Sequence, residues 1–157
     1  MDVRELLARD VTPELYREIR ELWKAHSIAE DKRDIAGLIA TLTPDCVYQV
    51  FPDGGRWEGH AGATRFYMEL LSAFPDIHFD LQTIVIGPQS VCEEARVTGT
   101  HKGKWLERTP IGERVTFRVV IFFPWDSKGR KFAGERVFVR LRQLARLIGR
   151  EPVMQTA

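Results

Sequence analysis

Apolar and polar residues alternate most regularly in the last third of the chain. The run Glu113–Phe123, Glu-Arg-Val-Thr-Phe-Arg-Val-Val-Ile-Phe-Phe, is rich in β-branched and aromatic residues and meets no Gly or Pro before Pro124, so it predicts a long strand. Cys92–Thr100 before it and Lys131–Leu141 after it alternate more openly and predict its neighbours. In Ala133–Leu141 the odd positions carry Ala, Glu, Val, Val and Leu, and the even positions Gly, Arg, Phe and Arg. A strand sends alternate side chains to opposite faces, so the odd set predicts the covered face. Ile77–Ile86 alternates too. Cys46–Phe51 and Arg56–Glu58, separated by Pro52-Asp53-Gly54-Gly55, read as a hairpin.

The period changes upstream. Leu15, Ile19, Leu22, Trp23 and His26 recur at helical spacing through about residue 30. Thr12 supplies the N-cap of this helix and Pro13 its first turn, although Leu15 stands where a capping box would place an acid or Gln. Asp34–Leu42 reads as a second helix, capped by Asp34 and stopped by Thr43-Pro44-Asp45. Residues 62–73 read as a third, with Phe66, Leu70 and Leu71 inward. Short helices are expected at 2–9 and at 142–148. Strands grouped after the helices, rather than alternating with them, predict an α+β domain with a mainly antiparallel, curved sheet. Helices wrapped around such a sheet leave an internal pocket on its covered face.

With 157 residues and no repeat or linker, one domain spanning 1–157 with its core at about 15–148 is expected. A net charge of +1 with scattered basic residues argues against nucleic acid as a partner. No apolar run reaches the roughly 18–20 residues that span a bilayer, and the charged N-terminus lacks a signal peptide's apolar core, so no membrane is expected and the cytoplasm is. Cys46 and Cys92 read as buried free thiols. The four His are scattered without metal-ligand spacing, and no nucleophile elbow or phosphate loop occurs, so neither metal nor cofactor is expected.

Glu135 is the one ionisable residue in the odd row of its strand. A carboxylate on an apolar face is costly unless paired, solvated or functional. It is a candidate general acid/base, or else the partner of Arg96, Arg118 or Arg136 in a structural ion pair. Arg96 shares a strand face with Thr98 and Thr100 and is a candidate partner for Glu135 or for a substrate oxyanion. His101, where that strand gives way to the Gly103 loop, is a candidate proton shuttle. Tyr48, Trp57, Phe66, Trp105 and Phe117 are candidate walls of a pocket for a hydrophobic small molecule, with ordinary core packing as the alternative. His26, at the edge of its helix's apolar stripe, reads as a packed or half-exposed helix histidine, His60 as a residue near a helix N-terminus, and His78 as a surface residue.

The blocks Trp57-Glu58-Gly59-His60, Phe66-Tyr67, Ala73–Phe79 with its Phe-Pro-Asp, Thr98–Gly103 with its Gly-Thr-His-x-Gly, Pro110–Val115 and Glu135–Phe138 resemble the SnoaL-like polyketide cyclases, also called ester cyclases. That family lies in the nuclear-transport-factor-2-like superfamily, and the resemblance runs over about residues 15–148. It implies the cystatin-like α+β cone. It also implies an intramolecular aldol ring closure without a cofactor, in which a pocket carboxylate is the general acid/base. The superfamily also holds epoxide hydrolases, isomerases and non-enzymatic binders. The usual block Glu-Arg-x-Tyr-Phe-Asp reads Glu135-Arg136-Val137-Phe138-Val139-Arg140 here, so Arg140 stands in place of the terminal acid. The strand acid of epoxide-hydrolase-like relatives falls at Val137.

Two classes of function follow. One is a cofactor-independent cyclase, isomerase or hydrolase acting on an apolar carbonyl compound through Glu135, with Arg96 and His101 in support. The other is a non-catalytic small-molecule binding or interaction module. The even row Arg118, Val120, Phe122, Arg136, Phe138 and Arg140 forms an apolar patch set among arginines, which predicts a homodimer through that face.

Overall fold

The computed structural model describes residues 2–52, 54–106 and 108–139. Among the described residues four helices come early: α1 (Val3–Leu7), α2 (Pro13–Asp31), α3 (Ile35–Ala40) and α4 (Gly59–Ala73). Between and after them run β1 (Leu42–Phe51), β2 (Gly55–Glu58), β3 (His78–Ile86), β4 (Ser90–Thr100), β5 (Arg114–Asp126) and β6 (Lys131–Val139). The caps are those the sequence predicts: Thr12 accepts from the Leu15 amide and Asp34 from the Gly37 amide. The six strands form one curved sheet in the order β2-β1-β6-β5-β4-β3. All neighbours are antiparallel except β1 and β6, which run parallel. The α+β cone is therefore the fold.

Period-two burial decides which side chains meet the helices. On β5 every odd residue from Val115 to Trp125 is buried, and on β4 the row Val91, Glu93, Ala95, Val97 and Gly99 is buried. These rows, with Ile19 and Ala29 of α2 and Ala63, Phe66, Tyr67 and Leu70 of α4, make one core. On β6 the phase changes midway. Phe122 pairs with Arg136, but Trp125 pairs with Phe132, so β6 uses one residue more than β5 over the same stretch. This is a β-bulge. It lets Phe132 and Glu135, three positions apart, both point inward. Gly134 sits in the bulge at φ +110°, against the backbone of Val47 on β1, where an added Cβ would overlap the Val47 carbonyl oxygen. Only glycine meets both demands.

Several expected boundaries shift. Thr43-Pro44-Asp45 does not stop α3, which ends at Ala40; it lies inside β1. The pairing of β1 with β6 is irregular between Leu42 and Val47, and a proline is tolerated where the ladder is broken. Helix α4 starts at Gly59 rather than 62, and β5 continues through Pro124 to Asp126. Asp126 then accepts from the Lys128 and Gly129 amides and closes the turn into β6. Cys46 is buried, but Cys92 on the outer row of β4 is only half-buried. Arg140 and the expected helix at 142–148 lie outside the described residues. Among the described residues, no helix is long and apolar enough to cross a membrane.

Candidate functional site

Glu135 enters the core from β6 and is 4% exposed. None of the three arginines proposed as its partner is near. Arg96 pairs with Asp80 at 2.6 Å and Arg118 with Glu94 at 2.6 Å, both on exposed outer rows of the sheet, and Arg136 is exposed on the same side. The pleat explains this: 96, 118 and 136 occupy the rows opposite in phase to Glu135. What meets Glu135 instead comes from the helices. The Tyr67 hydroxyl of α4 donates to Oε1 at 2.7 Å, and His26 Nε2 of α2 lies 3.1 Å from the same oxygen. Among the described residues, no hydrogen bond involves Oε2.

The protons of this cluster can be counted. Thr41 donates its hydroxyl to the Leu38 carbonyl at 2.7 Å, so its oxygen accepts from His26 Nδ1, also at 2.7 Å. Tyr67 gives its one proton to Glu135, so Tyr48, 3.0 Å away, donates to the Tyr67 oxygen. Burial, with the Glu135 charge second, pushes both phenols well above their ordinary range, so both stay protonated donors. His26 Nε2 is 2.9 Å from the Tyr67 oxygen and 3.1 Å from Oε1. The contact between Nε2 and Oε1 needs one further proton, held either by the ring or by the carboxyl. His26 and Glu135 thus form a buried pair joined through Nε2 and Oε1.

Two more carboxyls stand nearby. Glu30, one helical turn beyond His26, has its carboxyl held well above the usual range by burial and then by the charges of Glu135 and Glu93. Glu93 belongs to the buried row of β4, is 7% exposed, and accepts from Trp23 Nε1 at 3.0 Å. Burial and the Glu135 charge raise it to about 7. A cavity of about 30 Å³ lies among Glu30, Phe66, Leu70, Phe79, Trp105, Phe117 and Glu135. That is room for about one water. Trp105 is buried, and among the described residues its indole N–H has no hydrogen-bond partner.

The predicted residues therefore separate. Glu135, Phe66, Trp105 and Phe117 meet at the cavity, and Tyr48 joins through its hydroxyl. Trp57 is half-buried and packs edge-on against Phe66 without lining the cavity. His101 is fully buried, stacks on Phe74 at 5.1 Å between ring centroids, and does not line the cavity. Burial lowers its pKa, a weaker backbone interaction at Gly103 opposes this, and among the described residues neither ring nitrogen makes a full hydrogen bond. His26, Tyr67, Glu30 and Glu93 were missed by sequence reasoning. Their signal was the one applied to Glu135, an ionisable or polar group inside an apolar row: His26 and Glu30 on the stripe of α2, Glu93 between Val91 and Ala95. Among the described residues no group of three or more His, Cys, Asp or Glu is placed to hold a metal ion.

Comparison with known proteins agrees with this architecture. No curated protein matches the chain. A protein from Jannaschia sp. CCS1 described as a SnoaL-like polyketide cyclase is 20% identical, with a TM-score of 0.78 over 92% of this chain and 100% of that one. AclR of Streptomyces galilaeus, described as a hydroxylase, is 24% identical, with a TM-score of 0.70 over 87% and 99%. An epoxide hydrolase of Mycobacterium tuberculosis, like limonene-epoxide hydrolases, is 17% identical, with a TM-score of 0.66 over 87% and 92%. At these identities the likeness is one of fold. The model of the family described as SnoaL-like polyketide cyclase matches residues 14–143, and with so much of its length covered the chain belongs to the SnoaL-like polyketide cyclase family.

Proposed function

We propose that this chain binds a small, apolar, carbonyl-bearing molecule at the inner cavity and moves a proton on it, with Glu135 as the acid/base. One observation carries the reading: Tyr67 and His26 both meet Glu135 at Oε1, while the residue lines the cavity. Oε2 is the atom left to act. It takes a proton from the carbon beside the carbonyl, leaving an enolate, and the carboxylic acid so formed returns that proton to carbon or oxygen. An enolate carbon that attacks a second carbonyl of the same molecule closes a ring, and one reprotonated elsewhere is an isomer; neither needs an oxidant. Tyr67 and His26 hold the carboxylate in place. The Trp105 N–H supplies a donor for the ligand's oxygen, with Phe66 and Phe117 as apolar walls. Tyr48 acts through Tyr67 and through its own interaction with Glu135. His101 and Arg96 have no contact with Glu135 and are left out of this chemistry.

The cavity of about 30 Å³ does not hold such a molecule without moving a wall. Trp105 sits on the loop between β4 and β5, outside the regular elements, and that loop is the wall expected to give way. The test is deuterium incorporation into a panel of apolar ketones, followed by NMR. The wild type exchanges the proton beside the carbonyl, and Glu135→Gln loses roughly 10²–10⁴ in rate. The small cavity also favours a second reading, a non-catalytic binding module. Saturable ketone binding with no exchange above background would establish that one instead.

The reading extends to assembly. Phe138 on the outer face stacks on Phe51 at 4.7 Å and meets Phe122 at 5.9 Å, and both Phe122 and Phe138 remain more than a third exposed. An apolar patch of this kind rimmed by Arg118 and Arg136 fits a homodimer interface.

A further inference from the structure

A second cavity opens beside the first. It lies between α2 and the sheet and is lined by Trp23, His26, Ser27 and Glu30 of α2, Phe79 and Leu81 of β3, Glu93 and Ala95 of β4, and Phe123. It too encloses about 30 Å³, and Leu81 at its edge is exposed. Glu30 and Phe79 line both cavities and so form the partition between them. His26 faces the side cavity while its Nε2 touches Glu135, which lines the inner one. His26, Glu30 and Glu93 therefore share one cavity on the flank of the molecule, and Glu30 and Glu135 share the other. We infer that Glu93 and Glu30 form a proton-exchange route that connects the buried His26–Glu135 pair with solvent through this side cavity.

The inference deepens the proposed acid/base role and rests on it for its purpose. A base enclosed with an apolar ligand regains its protonation state only through a path that the ligand does not block. Here the ligand occupies the inner cavity and the path leaves by the other side of Glu30. The step is a simple relay. A hydronium ion gives its proton to the Glu93 carboxylate; the acid passes it through a water in the side cavity to Glu30, and Glu30 passes it to Glu135 or His26 Nε2. Only O–H and N–H bonds form and break, and the reverse order carries a proton out. Each cavity has the volume for the one water that the hops require. The groups that face Glu93 and Glu30 are Trp23, His26 and Asp31 on α2, Arg33 just after it, Tyr67 on α4 and Glu135 on β6. Burial holds the Glu30 carboxyl well above its ordinary range and lifts that of Glu93 to about 7, which suits groups that must both take and give a proton.

The test needs no substrate, so its failure is distinguishable from failure of the ketone assay. In protein labelled with 15N-histidine, exchange of the His26 ring N–H protons with solvent is measured by NMR beside the backbone amides of α2. Glu93→Gln and Glu30→Gln are each expected to slow ring exchange at least about tenfold while leaving the amides of α2 unchanged. Trp23→Phe, which frees Glu93 without removing it, is expected not to slow exchange. Ring exchange unaltered in both glutamine variants, or slowed only in step with the α2 amides, overturns the route. Should Glu30→Gln not fold, Glu93→Gln at the solvent side decides the matter alone.

Discussion

Glu135 sits beside a titratable ring and two phenols rather than a guanidinium, and that changes what its removal does. Breaking a buried pair with a permanent cation costs about 3–5 kcal/mol. In Glu135→Gln the amide oxygen still meets His26 and Tyr67 in place of the carboxylate, so the loss expected is about 1–2 kcal/mol. At this size that is a fall in Tm of roughly 2–8 °C. Tyr67→Phe removes a donor to Oε1 and the acceptor of Tyr48 together, and should cost about 1–3 kcal/mol by chemical denaturation. Glu93 makes a pH prediction. Its folded pKa of about 7 stands above the ordinary 4.5. Between those values the folded protein holds more protons than the unfolded one, so stability falls as pH rises through that window, by on the order of 3 kcal/mol. Glu93→Gln should remove that slope, read as the difference in Tm between variant and wild type at pH 5 and pH 8. His101, whose pKa is lowered, acts in the opposite sense below about 6.5 and cancels in the difference. Glu93 was as legible as Glu135, since it breaks the row Val91, Ala95, Val97 in the same way. The partners of Glu135 were not legible, because which helix face lies over which strand row depends on a tertiary fit that periodicity does not encode.

At the scale of elements, the bulge at Gly134 sets the site. Without it β6 would keep a single phase, and Phe132 and Glu135 would face opposite sides. Gly134→Ala places a methyl on the Val47 backbone and asks for a left-handed φ. It should cost at least about 1–3 kcal/mol, measured by thermal melting, and should also disturb the His26 ring signals, since Glu135 is the next residue. A merely local strain would leave those signals in place. The strands β3 to β6 were readable because strong alternation and β-branched residues agree with their pairing. The start of β1 was not. Thr43-Pro44-Asp45 is a turn by composition, and only the irregular pairing with β6 makes it strand.

For the whole molecule, the outer face of the sheet carries the assembly prediction. Phe138→Asp puts a charge into the cluster of Phe51, Phe122 and Phe138 without touching the core. If that face joins two copies, sedimentation velocity at micromolar concentration should show the wild type as a dimer and the variant as a monomer with an unchanged circular-dichroism spectrum. A monomeric wild type would refute the dimer. The α+β class followed from element order, but the sheet order did not, because nothing in the alternation says that β1 will insert beside the last strand. That insertion has a temporal consequence. Val47–Phe51 pair with Gly134–Phe138, so this part of the sheet waits for residues 87 positions later in synthesis. Until β6 leaves the ribosome, β1 and β5 both present open edges, and His26, Tyr48 and Tyr67 surround an opening with no carboxylate from β6 in it. Long-range pairing of this kind is slow to nucleate, and the exposed edges of the unfinished sheet are where a nascent chain would meet chaperones. The strand that completes the barrier to aggregation is also the strand that delivers Glu135.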